Sequence, residues 1–264
     1  GINGILGAIF FICIARMLGP SEYGVFALAI ASLTLIADIA DFGTNTGIVR
    51  FVPGLIKHQP ADAYRMLKLS LEIKAVVWCL VLLVGFFLIP FIVITIFGKV
   101  ELIFPLQLSL IGVGGAMFYT YTQSVLQAFE KYRLWSFLNL FTNGLRLFIT
   151  LVLSVLVGLN VFSGLLLYIS IPFIGFLIGC SLLPIRQIVS AQKETNLFKD
   201  FRSYNSYIAI FTLIAAFSNR IDMYLAAKLL NPDEVGIYGA AVQLNSFIPQ
   251  IMGGLGVVVA PKFA

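Results

Sequence analysis

Eight side chains of this 264-residue chain carry charge or amide chemistry in or at the ends of long apolar runs: Asp38, Asp41, Asn45, Arg50, Asn143, Arg146, Arg220 and Asp222. A charge near the centre of a bilayer costs about 2.5–3.5 kcal/mol on insertion scales, so each needs a partner or a ligand. Thr34, Asp38, Asp41 and Asn45 are spaced by 4, 3 and 4 residues, which places them on one face of a continuous helix. Asn139, Asn143, Arg146 and Thr150 form a second stripe, and Thr120, Gln123, Ser124 and Gln127 a polar half of a third run. Ser218 and Asp222 share a face from which Arg220 is turned away. Stripes on several helices predict one aqueous cavity. An arginine suits an anion there, because its planar fork donates two parallel hydrogen bonds to a phosphate. Carboxylates and amides suit hydroxyl groups or a cation, and Asp222 suits a coupling ion or a proton. The plainer reading is that these groups neutralise one another, Asp38 or Asp41 with Arg146, and hold the helices together. Lys74 has no obvious partner and is expected to snorkel to the interface.

The elements that must position these groups follow from composition. The chain is 60% hydrophobic and 11% charged, and its mean hydropathy is +1.00. Soluble domains are about 45–50% apolar and about 25% charged, so too little polar surface exists here to face water. Eight runs are long enough to span: 1–18, 24–49, 69–97, 102–129, 134–159, 161–183, 204–230 and 237–264. Continuous runs exclude spanning strands, which would alternate. The expected fold is an all-α polytopic membrane protein of eight transmembrane helices. The chain starts at Gly1 inside an apolar run, which predicts a fragment of a longer protein.

Lys and Arg are distributed unevenly. Loops after the second, fourth and sixth runs hold Arg50, Lys57, Arg65, Lys68, Lys131, Arg133, Arg186, Lys193, Lys199 and Arg202, whereas the other loops hold only Arg16, Lys99 and Lys228. By the positive-inside rule the even-numbered helices end in the cytoplasm, and so the N-terminal end lies there too. The multi-pass chain is expected in the cell's inner (plasma) membrane. The polar stretch 184–203 reads as a cytoplasmic linker between a six-helix bundle (1–183) and the first two helices of a second (204–264). The stretch 61–74 has an amphipathic start that suits either the membrane surface or a solvated helix end. Gly43–Gly47 and Gly175–Gly179 are small-xxx-small pairs suited to close helix packing. One histidine, His58, and three scattered cysteines, Cys13, Cys79 and Cys180, make a metal or thiol enzyme hard to build. With short, basic loops as well, the expectation is a non-enzyme without a resident cofactor and without a nucleic-acid partner.

One segment recurs. Residues 15–30 read ARMLGPSEYGVFALAI and residues 227–242 read AKLLNPDEVGIYGAAV, so that at an offset of 212 Pro20 meets Pro232, Glu22 meets Glu234 and Gly24 meets Gly236. Gly19 or Asn231 is suited to end one helix in a left-handed conformation, and the proline presets the next. Six spans separate the copies, so they share one orientation, as in transporters built from parallel repeats. Two six-helix halves are expected, with at least four further helices.

ARMLGPSEYGVFALAIASL with ADFGTNTGIVRFVP, and NRIDMYLAAKLLNPDEVGIYGAAVQL, resemble polysaccharide transporters, the O-antigen and lipid-linked oligosaccharide flippases of the multidrug/oligosaccharidyl-lipid/polysaccharide exporter superfamily. The resemblance implies 12–14 helices in two bundles, alternating access, and a polyprenyl-pyrophosphate-linked glycan as cargo, such as the lipopolysaccharide O-antigen unit. On that footing Arg146 and Arg50 are expected to attract the pyrophosphate and Asp38, Asp41 and Asn45 the sugar hydroxyls. Membrane lipids, a polysaccharide polymerase and glycosyltransferases are the expected partners. Proton or sodium coupling stays open, as do a drug or organic-cation antiporter of the same superfamily and a membrane enzyme of polysaccharide assembly.

Overall fold

Lipid offers no partner to a backbone N–H or C=O, so long apolar segments satisfy themselves as helices. The computed structural model describes residues 2–156, 158–191 and 198–247. Among the described residues there are ten α-helices and no strand: α1 (Ile2–Ala40), α2 (Thr44–His58), α3 (Pro60–Ile92), α4 (Ile103–Ala128), α5 (Tyr132–Leu156), α6 (Val161–Leu182), α7 (Ile185–Ser190), α8 (Phe198–Ser218), α9 (Ile221–Leu229) and α10 (Pro232–Asn245). Six stretches are long and apolar enough to cross a membrane: Ile2–Ala40, Pro60–Phe97, Val100–Ala128, Tyr132–Leu156, Val161–Leu182 and Ile208–Leu229. The first joins two of the expected spans. Its backbone leaves helical values at Gly19 (φ 74, ψ 171), which divides α1 into arms 2–18 and 20–40. The last expected span is represented by the 14 residues of α10, and its tail, 248–264, lies outside the described residues, as does part of the linker, 192–197.

The recurring turn is built in two ways. Gly19 adopts the positive φ that glycine tolerates, and Pro20 starts the next arm with a preset φ. Asn231 does not turn left-handed as expected: it is extended (φ −73, ψ 163) and caps α10. Its side chain accepts from Glu234 N at 2.9 Å, while Glu234 reaches back to Asn231 N at 3.1 Å. A capping box satisfies two helix-end donors at once, and here it replaces the left-handed turn.

Two further expectations change. The second run is not one helix: α1 stops at Ala40, Phe42 (φ 48) and Gly43 (φ 72) turn left-handed, and α2 starts at Thr44. The single face predicted for Asp38, Asp41 and Asn45 is therefore interrupted, and Gly43 serves the turn. The stretch 61–74 does not fold as a separate surface helix. It is the base of α3, which continues through a π turn, Val93–Phe97, to make a 38-residue unit, about 57 Å long at 1.5 Å per residue.

The core is assembled on α4, whose small residues admit neighbouring side chains. Gly112 faces Leu33 and Ile169, and Gly114 lies under the Trp78 ring. Trp78 Nε1 donates to Leu110 O at 3.2 Å. Gly175 and Gly179 of α6 sit against Tyr119 and Thr122 of α4, the close packing expected of that pair. The widest contact of α1 is with α10. There Gly24 faces Pro232 and Gly236, and Gly236 faces Pro20.

A Cβ on Gly175 would come 2.6 Å from the Tyr119 ring and 2.9 Å from Thr142, whereas one on Gly54 would meet nothing within 4 Å. Gly175→Ala is expected to destabilise by about 1–3 kcal/mol through overpacking, and Gly54→Ala to leave stability unchanged or slightly raised. Thermal unfolding of the detergent-solubilised protein checks the contrast.

Candidate functional site

The break at 41–43 exposes the first N–H groups of α2, which a helix cannot satisfy from within. Asp41 covers them. Its carboxylate accepts from Asn45 N at 3.2 Å and from Thr44 Oγ1 at 3.0 Å. It also accepts from Lys74 Nζ, which α3 brings to it; the Lys74 side chain is fully buried. Lys74 therefore does not snorkel. Burying the ammonium is tolerable because a carboxylate already anchored to a helix start neutralises it. Asp41 in turn does not pair with Arg146.

Arg146 stands half-way along α5. Its guanidinium lies over the Tyr168 ring of α6, 4.5 Å from the centroid, and the Phe10 ring of α1, 5.4 Å away. Stacking on an aromatic face attracts a cation by about 0.5–2 kcal/mol. Arg65 pairs with Asp62 and Lys74 with Asp41, but among the described residues Arg146 has no carboxylate within 4.0 Å. Its Nε is buried without a hydrogen-bond partner, as is Asn3 Oδ1 in α1. Asn143 is half-buried one turn before it. Asn139 leaves the stripe: it donates to Gln123 Oε1 at 3.1 Å, and with the Tyr119–Thr142 hydroxyl pair, 2.9 Å apart, it closes the seam between α4 and α5.

A second break, at Asn219 and Arg220, ends α8 and starts α9. It rotates Arg220 so that Arg220 and Asp222 line one small cavity together with Asn219, Tyr23 and Gln243, against the expectation that Arg220 points away. Asp222 accepts from Tyr238 Oη at 2.9 Å and from Met223 N at 2.8 Å. Asp38 is exposed on the 20–40 arm, within electrostatic reach of Arg220 and Asp41. Asn45 and Arg50 line an open cleft with Thr46, Val49, Ser124 and Gln127, and Asn45 Oδ1 is buried without a partner. Arg50 stacks on Phe51, with 5.7 Å between the guanidinium and the ring centroid.

Seven of the eight expected residues thus fall into three places: a cleft with Asn45 and Arg50, an aromatic cradle holding Arg146 beside Asn143, and a junction where Arg220 and Asp222 line one cavity with Asp38 within electrostatic reach of Arg220. Asp41 belongs to the frame. Sequence reasoning missed Lys74 as its partner and Phe10 and Tyr168 as the cradle. The available signal was a lone lysine inside an apolar run, facing an aspartate in a neighbouring one.

A family model described as polysaccharide biosynthesis protein matches residues 1–264. No curated protein and no solved structure matches the chain.

Removing one member of a buried ion pair strands the other charge, which costs about 3–5 kcal/mol, whereas replacing both is close to neutral. Lys74→Met and Asp41→Asn are each expected to lower the melting temperature sharply, and the double variant to recover most of the loss. Equal and additive losses in a double-mutant cycle would refute this role for the pair.

Proposed function

We propose that this chain, which belongs to the polysaccharide biosynthesis protein family, works as a flippase that carries a polyprenyl-pyrophosphate-linked oligosaccharide from the cytoplasmic to the outer leaflet by alternating access. The reading takes eight crossings, with Gly19 separating the first two, and an N-terminal end in the cytoplasm of a plasma-membrane protein. It also takes the recurrence at an offset of 212 as a duplication that relates two halves.

One observation carries the proposal. Arg146 is a cation held within a helix bundle by aromatic faces, with no carboxylate to neutralise it among the described residues. A cation without a neutralising acid suits an anion, and a pyrophosphate head group is an anion that must cross. In this mechanism the head group enters at the cleft lined by Asn45, Arg50, Ser124 and Gln127. Arg50 draws it in through charge at the exposed end, and Arg146 receives it at mid-depth. Asp38 and Asn143 offer acceptors and an amide to the sugar hydroxyls, while the polyprenyl tail stays in lipid. Rocking of the halves then exposes the head group outward. The process makes and breaks no covalent bond, so no catalytic residue is assigned. A polymerase and glycosyltransferases are natural partners because they would consume and supply this cargo. Exposed Asp38 favours a second reading, export of an organic cation, which would need no lipid carrier.

The intact protein in liposomes with a fluorescent polyprenyl-pyrophosphate glycan tests the proposal. Charge-assisted hydrogen bonds contribute about 1.5–3 kcal/mol, so Arg146→Ala is expected to slow flipping about tenfold or more, and Arg146→Lys less. Unchanged flipping in Arg146→Ala would sink the assignment, and efflux of an organic cation without glycan movement would favour the second reading.

A further inference from the structure

We propose that the outer end of this protein is held shut by a two-part lock: Lys99 latched onto the C-terminal end of α9, and a glycine seam between Gly24 and Gly236. The proposal rests on the topology and transport reading above.

The latch begins with carbonyls left without donors. In a helix, each C=O expects the N–H four residues on. For Ala227 that donor is Asn231 N, which the capping box of α10 consumes by directing it to Glu234. Leu230 is already extended (φ −105, ψ 161) and outside the helix, so its C=O has no helical donor. The end of α9 therefore presents two open carbonyls at the negative pole of its dipole. Lys99 Nζ donates to both, at 3.0 Å to Ala227 O and 3.1 Å to Leu230 O. Lys99 comes from the turn after α3, where Gly98 (φ 64) reverses the chain. A residue of the first six helices thus supplies what the hairpin from the far end of the chain lacks.

The seam is reciprocal. A Cβ on Gly24 would come 2.7 Å from Pro232 O and 3.0 Å from Gly236 N, and one on Gly236 would overlap Pro20 O. Pro20 and Gly24 stand 212 residues before Pro232 and Gly236. Each hairpin therefore presents the same two positions to the other, the pattern that a two-fold axis imposes. At both glycines the neighbour is rigid backbone, so a larger residue keeps the helices apart.

Gly24, Lys99, Glu101, Ala227 and Pro232 border one shallow pocket, so latch and seam sit at the same end of the bundle. The Lys and Arg distribution makes that end the outer one. The cleft at Asn45 and Arg50 is open at the other. Outward release then requires Lys99 to leave the two carbonyls and the glycine seam to part. A half-exposed lysine on a flexible stem suits a bond that must break in every cycle.

The test uses the intact protein with Cys13, Cys79 and Cys180 replaced by alanine and a reporter, Ala31→Cys. Ala31 is 4% exposed and lies beneath the seam in the cavity with Tyr23 and Arg220. An impermeant maleimide is applied from outside. Labelling is expected to be slow in this background and with Lys99→Arg. It is expected to rise about tenfold with Lys99→Gln, as loss of charge-assisted hydrogen bonds predicts, and to rise with Gly236→Ala. Unchanged labelling in both Lys99→Gln and Gly236→Ala would overturn the lock. A purely structural Lys99 would lower the melting temperature without raising labelling. As a second arm, a reducible thiol-to-thiol crosslinker joins Lys99→Cys to Leu230→Cys. It is expected to stop flipping until reductant is added, and flipping at the uncrosslinked rate would overturn the proposal. Labelling needs no glycan, so a protein that never flips glycan refutes the transport reading while the labelling result still decides the lock.

Discussion

A lysine inside a bilayer has no water to solvate it, and Lys74 is fully buried. Its bond to Asp41 therefore fixes how α3 meets the break before α2. Asp41 can accept that bond because the chain breaks at Phe42 and Gly43, which frees it to cap α2 through Thr44 and Asn45. One carboxylate thus neutralises a charge, satisfies a helix start and ties α2 to α3. The direction in which α2 leaves that break places Asn45 and Arg50 opposite Ser124 and Gln127, where the cleft opens.

Arg146 is the contrasting case. The same solvation argument applies, yet it has aromatic rings and not an acid beside it. Aromatic stacking offsets part of the cost of burying a guanidinium and leaves its charge uncompensated. A frame charge and a working charge are distinguishable on that basis: Lys74 is used up by Asp41, and Arg146 is not used up by any described residue. The junction at Asp222 lies between them, since Tyr238 already donates to that carboxylate. The two ends of the bundle differ in kind as well. One is an open polar cleft, and the other is closed by backbone contacts at Gly24 and Gly236 with Lys99 over them.

Much of this was legible from residue order where the cause is local. The Gly19–Pro20 turn follows from the φ preferences of two residues, and the Gly175–Gly179 packing from their spacing on one helix face. The all-helical membrane fold follows from apolar run lengths. What escaped is non-local or lies inside an apolar run. Nothing in ADFGTNTG marks Phe42 for a positive φ, so the helix face drawn through Asp38, Asp41 and Asn45 continued past its true end. Lys74 and Asp41 are 33 residues apart, and only the packing of α2 on α3 joins them. The break at Asn219–Arg220 likewise cancelled the helical phase that had turned Arg220 away from Asp222. Asn231 was recognised as a helix boundary, but its partner Glu234 made it a cap and not a left-handed turn.

The central claim is that Arg146 is a cation kept for an anionic lipid head group. Native mass spectrometry of the intact protein, offered equimolar polyprenyl pyrophosphate and polyprenol of the same chain length, tests it most directly. The account predicts that the pyrophosphate lipid binds preferentially and that Arg146→Ala abolishes the preference while the neutral lipid binds as before. Equal binding of the two lipids to the unmodified protein, or a preference that survives Arg146→Ala intact, would contradict it.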